Sequence, residues 1–291
     1  MEDIKSYFET IPTWHRSLIL AGGIFFFYLL EYIIPYISFT YRKVRHAGIN
    51  IFFTATTAIV NFALAFLIVW SCDLVVAKEF GLLYIFNLPT WAFIITGLLL
   101  LDLIGAWLVH FLQHKIKWMW KFHLVHHADT YVDATTANRH HPGESVLRFI
   151  FTVFAVILSG APIWLVMLYQ SVSVLLSQFN HANINLPGWL DKTISFILVS
   201  PNMHKVHHHF VQPYTDSNYA NIFSLWDRIF GTFKTLEKEK LIYGIDTHMD
   251  PHEHSNIKKL MSIPFQEYRA PIGSKFETEE NISISNKENF T

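Results

Sequence analysis

Three long apolar segments constrain the fold of this 291-residue chain more than any other feature. They are residues 17–39, 50–77 and 91–112. Each meets the length of roughly 20 residues that a helix needs to cross the hydrocarbon core of a bilayer. Every backbone polar group within a bilayer must find its partner inside the protein, and a helix meets this need without neighbours. The segments therefore predict an all-α integral membrane protein.

A fourth apolar segment, residues 146–180, is interrupted by Gly160, Ala161 and Pro162. Each half is short for a full crossing, so the segment is either two short spans or a hairpin that enters the membrane and returns. We expect about four transmembrane helices or helical hairpins in one domain, residues 1–271. The polar tail, residues 272–291, is predicted to be disordered.

Basic residues predict the orientation of the spans. They follow the first and third segments, at Arg42, Lys43, Arg45, Lys115, Lys117 and Lys121. Loops rich in Lys and Arg stay in the cytoplasm. A returning 146–180 segment then brings residues 181–209 to the same side. We expect a helical cap on the cytoplasmic face of a cell inner membrane or of the endoplasmic reticulum, depending on the organism.

Histidine is the residue whose use is most unusual. Of 17 histidines, 12 fall within residues 110–141 and 181–209. Other classes of binding site have little support. The net charge of −1 offers no basic face for nucleic acid, and a single cysteine, Cys72, excludes disulfides and thiolate metal sites.

The histidines recur at helical spacings. The pattern H-x-x-H-H occurs twice, and H-x-x-x-H ends the third apolar segment. Residues i, i+3 and i+4 share one face of a helix. Neutral imidazoles gathered on such faces offer lone pairs to metal ions. The eight residues are His110, His114, His123, His126, His127, His204, His207 and His208.

The number and type of these ligands favour two iron ions. Eight ligands exceed what one ion takes, since structural zinc is satisfied by four. Two ions with four or five imidazoles each and an open position suit iron. The boxes contain no carboxylate, unlike soluble di-iron bundles. No H-E-x-x-H motif occurs, which argues against a zinc metalloprotease.

The chain resembles the fatty acid hydroxylase or sterol desaturase superfamily of membrane-bound di-iron oxygenases. The resemblance rests on HFLQH (110–114), HLVHH (123–127) and HKVHH (204–208). Flanking stretches add to it: the aspartate-bearing LLDLIGAWLVHFLQH, TTANRHHPGE, QFNHANI and NYANIFSLWDRIFGTF. It covers about residues 95–235.

This resemblance implies ten metal ligands, the eight box histidines together with His141 and His181, and no catalytic residue apart from them. Asp102 and Glu144 are expected to orient the ligands without contacting the metal themselves. The other histidines, including His46, His140 and His209, are interpreted as neighbours of the site or as solvent-exposed. Two iron ions are the implied cofactor, with O2 as co-substrate.

The implied activity is oxidation of a C–H bond, preferably hydroxylation, in a lipid such as a sterol, a fatty-acyl lipid or an ether lipid. The sequence shows no flavin fingerprint, cysteine cluster or fused haem domain, so we expect an external electron donor of the cytochrome b5, ferredoxin or NAD(P)H-reductase type. One alternative is a lipid desaturase of the same superfamily. Another is a non-catalytic membrane protein that binds or transports metal, which predicts ligands distributed through the spans rather than clustered at one face.

Overall fold

Helices make up most of the computed structural model, which describes residues 2–274, and no β-strand occurs in that range. The α-helices, in chain order, are α1 Glu2–Glu9, α2 Thr13–Ile33, α3 Lys43–Ala77, α4 Thr90–Asp102, α5 Val109–Lys115, α6 Lys117–His127, α7 Pro142–Ser159, α8 Ile163–His181, α9 Gly188–Ile197, α10 Pro201–His207, α11 Leu225–Ile229, α12 Pro251–His254 and α13 Ile257–Ser262. The predicted all-α class is confirmed. Residues 275–291 of the predicted disordered tail lie outside the described residues.

Five helical segments are long and apolar enough to cross a membrane: Thr13–Ile33, Lys43–Tyr84, Thr90–Lys115, Pro142–Ser159 and Ile163–His181. Four segments were predicted, and the difference arises at residues 146–180, which divide into α7 and α8. The chain is therefore an integral membrane protein. Large apolar side chains face outward on the spans, as lipid contact requires, and Phe62 is 86% exposed.

The first two membrane-spanning helices, α2 and α3, differ in their bounds from the predicted spans. The first span was expected to reach residue 39, but α2 ends at Ile33, two residues before Pro35. Proline lacks an N–H and disfavours helical backbone in the residue before it, so the helix stops there. The second span was expected to begin at residue 50, but α3 begins at Lys43 because no helix-breaking residue other than Gly48 intervenes.

The third span contains an irregularity close to the first histidine box. Leu103–Leu108 forms a π-helical segment between α4 and α5, so the helix is wider there than on either side. Such segments often occur at functional sites. The small residues Gly105 and Ala106 lie in it and are buried, with Gly105 against α7 near Ala155 and Thr152. The π-helical segment leads directly into the α5 residues His110 and His114.

Two glycines let the turn between α7 and α8 approach the loop that follows α3. Gly160 ends α7 in the left-handed region with φ +78°, and Gly81 has φ +115°. A Cβ atom on Gly160 would overlap with the carbonyl oxygen of Phe80. Non-glycine residues rarely adopt such backbone angles. This close contact lies at the end of α7 and α8 that is remote from His141 and His181.

Substituting Gly160 with Ala is expected to destabilise the fold by about 1–3 kcal/mol or more, because the substitution combines backbone strain with overlap against a carbonyl. The thermal unfolding midpoint in detergent micelles measures the effect. Gly48→Ala is the matched control. No atom lies within 4 Å of a Cβ at Gly48, and alanine in a helix stabilises by about 0.5–1 kcal/mol relative to glycine. Equal midpoints for the two variants would contradict this account.

Candidate metal centre

Short helices outside or at the end of the spans position the histidine boxes. His110 and His114 lie on α5, His123, His126 and His127 on the last turns of α6, and His204 and His207 on α10. The residue Ser200 starts α10 as its N-cap, and its Oγ accepts a hydrogen bond from the Met203 amide at 3.3 Å. A hydroxyl acceptor at this position stabilises the first turn of a helix. The predicted helical arrangement of the boxes is thus present.

Nine of the ten predicted ligands gather into two adjacent sets of rings. The five-histidine group contains His110, His114, His123, His127 and His207, and the four-histidine group contains His126, His181, His204 and His208. Within each group, one ring nitrogen from every residue lies within 4.8 Å of those of all the others. Helix α6 contributes to both groups, and so does the segment 204–208. One helix thus serves two centres, since i and i+4 are about 40° apart around the axis and i+3 lies about 60–100° from them.

Several ring nitrogens lie so close together that the imidazoles would repel one another if they were protonated. His110 Nε2 lies 3.0 Å from His123 Nε2, and His181 Nε2 lies 3.2 Å from His126 Nε2 and 3.1 Å from His204 Nε2. Burial is the main cause of low pKa values here, and neighbouring histidines add to it. The pKa is well below the ordinary value for His123, His126, His127, His204, His207 and His208. These rings are therefore neutral at physiological pH and keep a free lone pair.

Several of these lone pairs have no partner within the described residues. The Nε2 atoms of His114, His127, His207 and His208 are buried and make no hydrogen bond. Buried polar atoms without partners cost free energy and are uncommon in proteins. A cation that binds nitrogen relieves this cost, and imidazole suits iron, zinc, copper and nickel. The two groups therefore have the chemistry of metal-binding sites.

Backbone carbonyls fix two of the rings by accepting hydrogen bonds from their Nδ1 atoms. His110 Nδ1 donates to the carbonyl oxygen of Tyr219 at 2.7 Å, and His207 Nδ1 donates to that of Ser217 at 2.6 Å. These bonds place the proton on Nδ1 and leave Nε2 free to face the group. Both carbonyls belong to residues 217–219, a loop in which no histidine lies. The sequence carries no signal for carbonyl acceptors, because every residue has one.

Carboxylates orient two more rings of the five-histidine group. Glu144 Oε1 accepts from His123 Nδ1 at 2.8 Å, which is the supporting position expected for it. Asp216 Oδ1 accepts from His114 Nδ1 at 3.1 Å and also pairs with Lys115. Burial raises the pKa of Asp216, but His114 and Lys115 outweigh it and hold that pKa well below the ordinary value. Sequence reasoning missed Asp216, which belongs to no box.

Asp102 supports the site less directly than its position in the sequence suggested. Its carboxylate accepts hydrogen bonds from the amides of Ile222 and Phe223 at 3.3 and 3.1 Å and from Trp226 Nε1 at 3.0 Å. No hydrogen bond joins it to a histidine within residues 2–274. It fixes the chain just after Tyr219, whose carbonyl holds His110. Asp102 thus acts on the loop rather than on a ring.

His141 lies outside both groups, although it was predicted as a ligand. It is the N-cap of α7, and its Nδ1 accepts a hydrogen bond from the Gly143 amide at 3.0 Å. Its neighbour His140 is closer to the site, with its ring centroid 5.1 Å from that of His126. A dipeptide of two histidines gave no means of choosing between them, because the turn before α7 decides which ring points inward.

A buried polar network lies behind the second box. His46 Nε2 lies 2.8 Å from Asp129 Oδ1, and His46 Nδ1 lies 3.1 Å from Asp133 Oδ2. The guanidinium of Arg139 is 3.7 Å from Asp129, and Thr136 Oγ1 donates to the same carboxylate at 2.7 Å. These contacts tie α3 to the turn that follows His127. The sequence interpretation of His46 as a site neighbour or exposed residue missed this structural role.

The segment that carries the histidines is similar to a known protein family. The sequence profile of the fatty acid hydroxylase family matches residues 94–232. Human alkylglycerol monooxygenase is 34% identical over 56% of this chain and 36% of its own length. Ornithine lipid hydroxylase of Rhizobium tropici is 26% identical over 48% of this chain and 41% of its own length. Human cholesterol 25-hydroxylase is 28% identical over 43% of this chain and 46% of its own length.

The chain therefore spans less than half of the length of each of these three relatives. No solved structure matches it significantly. The matched residues 94–232 contain all ten histidines that were predicted as ligands. The resemblance inferred from the histidine boxes is confirmed over this segment, which matches the fatty acid hydroxylase family.

Proposed function

We propose that the chain is a membrane-bound di-iron oxidoreductase that uses O2 to hydroxylate a C–H bond in a lipid. The observation that carries the proposal is the pair of adjacent groups of buried, neutral imidazoles with unpartnered nitrogens. Neutral nitrogen ligands in two sets of five and four fit two transition-metal ions with room for a further ligand. When bound, iron would supply reduction of O2 and removal of hydrogen from an unreactive C–H bond.

The protein's own part is to hold the ligands and to exclude water. Glu144, Asp216 and the carbonyls of residues 217 and 219 keep protons on Nδ1 atoms, so that Nε2 atoms face the groups. A small cavity borders both groups and is lined in part by Ala106, Ala137 and Ala220. These short side chains leave a space of about 20 Å³ beside the rings, which holds one water-sized group. The reacting carbon of a lipid would enter this space from the surrounding bilayer.

Relatives support hydroxylation over the alternatives. The alkylglycerol monooxygenase, ornithine lipid hydroxylase and cholesterol 25-hydroxylase are all named as oxygenating enzymes of lipids. This favours a hydroxylase over a desaturase. A sterol, a fatty-acyl lipid or an ether lipid remains the proposed substrate. A metal transporter would need ligands along the spans, whereas nine histidines here lie together at one end of them.

Hydroxylation consumes two electrons and two protons together with O2, and it releases one oxygen atom as water. Histidine side chains do not donate electrons, so we propose an external donor of the cytochrome b5, ferredoxin or NAD(P)H-reductase type. The basic residues Lys43, Arg45, Lys115 and Lys121 lie at the same end of the spans as the histidines, which supports a cytoplasmic position for the site. An electron donor in the cytoplasm would then have access to it.

His126→Ala and His207→Ala each remove one proposed ligand, from different groups. We expect both variants to lose bound iron and to form no hydroxylated lipid, since the remaining nitrogens cannot complete the centre. Iron is measured per purified protein, and incorporation of 18O2 into membrane lipids is measured by mass spectrometry. His209→Ala is the matched control, because its ring contacts Phe210 and Tyr214 and its Nδ1 accepts from the Ile242 amide. Undiminished turnover in either ligand variant would refute the proposal.

His141→Ala tests whether His141 belongs to the ligand set. Because His141 caps α7 and lies outside both groups, we expect this variant to keep its iron and its product formation. A loss of about 1 kcal/mol in stability is expected from the missing cap. Iron content and the unfolding midpoint are measured together. Iron loss as severe as that of His126→Ala would restore His141 to the ligand set.

Glu144→Ala removes the carboxylate behind His123. We expect metal affinity to fall about 10–100-fold, as is usual when the partner of a ligating histidine is lost. Titration of the purified protein with ferrous iron under anaerobic conditions gives the affinity. The exposed Glu237→Ala is the matched control and should bind as the unsubstituted protein does. An unchanged affinity in Glu144→Ala would show that the hydrogen bond does not orient the ligand.

A further inference from the structure

Arg148 places a positive charge in the membrane-spanning helix α7, close to both histidine groups. Its side chain lines the same cavity as His110 and His123 of one group and His126 of the other. A charged residue within a span is costly and marks a functional position unless a partner neutralises it. The partners of Arg148 therefore decide what it does.

Those partners leave most of the guanidinium available. Arg148 Nη1 lies 3.4 Å from Gln113 Oε1 and 3.8 Å from Glu144 Oε1, and both distances are long. Glu144 Oε1 already accepts the shorter hydrogen bond of His123, at 2.8 Å. The guanidinium makes no other side-chain hydrogen bond within residues 2–274, although it has five N–H donors. Its side chain is 27% exposed, so these donors can reach a ligand.

The wall of the cavity near Arg148 carries further polar groups. Ser177, on α8 one helical turn before His181, lines the cavity. Asn221 lines it too, but its amide already donates a 2.8 Å hydrogen bond to Ser173 Oγ. Arginine has five N–H donors. An apolar chain alone would leave most of the donors of Arg148 without acceptors.

We propose that Arg148 binds an oxygen-bearing group of the lipid substrate and thereby selects lipids oxidised close to that group. The acceptor is a hydroxyl, ether, ester, carboxylate or phosphate oxygen, all of which the guanidinium recognises. Because Arg148 and the histidines line one small cavity, an oxygen held by Arg148 places the adjacent carbons beside the rings. The substrate class is a lipid hydroxylated next to its polar headgroup. This rests on the proposed hydroxylase function.

Isotope labelling locates the product oxygen even while the substrate is unidentified. Membranes of cells that express the chain are incubated with 18O2, and fragmentation mass spectrometry locates the label in the lipids. We expect it on a carbon close to a headgroup oxygen, because that oxygen is held at hydrogen-bond distance from Arg148. Label in the middle or at the end of a long chain would overturn the proposal and keep the hydroxylase function. No label in any lipid would overturn both.

Variants of Arg148 test the residue itself. For Arg148→Gln we expect bound iron to stay constant while product formation falls about 10–100-fold, through KM more than kcat, as a charge-assisted hydrogen bond is lost. Arg148→Lys keeps the charge and should recover part of the loss. Arg16→Gln is the control, because Arg16 lies on α2 and its guanidinium makes a long hydrogen bond of 3.5 Å to Gln170 Oε1. Iron loss in both Arg148 variants, or unchanged KM in Arg148→Gln, would overturn the assignment.

Discussion

Burial of many neutral imidazoles in one place is the constraint on which the rest of this structure depends. Each ring loses its hydrogen bonds to water when it enters the protein, and several nitrogens find no replacement among the described residues. Such an arrangement is unfavourable by itself. It is tolerated only if the surrounding fold holds the rings in place and a bound cation offsets the lost hydrogen bonds. The helices, loops and carboxylates around the histidines supply the first condition.

The supporting contacts come from parts of the chain far apart in sequence. Glu31 in α2 accepts hydrogen bonds from the amides of Ala134 and Asn183, at 2.7 and 3.0 Å, and so links the segments after the second box and after α8. Asp227 accepts from the Tyr219 amide at 2.9 Å and from Trp107 Nε1 at 3.0 Å. Buried carboxylates of this kind are costly unless they are fully bonded. Here these carboxylates join separate helices into one framework that holds the rings.

Much of the fold and of the candidate site could be predicted from two features of the sequence, the length of the apolar segments and the spacing of the histidines. Apolar length gave the spans, and the spacing of His123, His126 and His127 gave the helix that carries them. Two sets of four or five imidazoles were expected, but the assignment of each histidine to a set was not predictable. It depends on how α6 and α10 are oriented relative to each other, which no local pattern records. The directions of His140 and His141 were not predictable for a similar reason, since the turn before α7 sets them. Asp216 was missed because a lone aspartate in a loop has no signature.

The π-helical segment Leu103–Leu108 determines the direction in which the side chains after it face in the third span. A π turn holds one residue more than an α turn, so it rotates everything that follows relative to a regular helix. If the same residues were wound as a regular α-helix, His110 and His114 would be turned by about 100°. The span would still be long and apolar enough to cross a bilayer. Its two imidazoles, however, would no longer face the five-histidine group, and a change invisible to hydropathy would remove two of the five nitrogens.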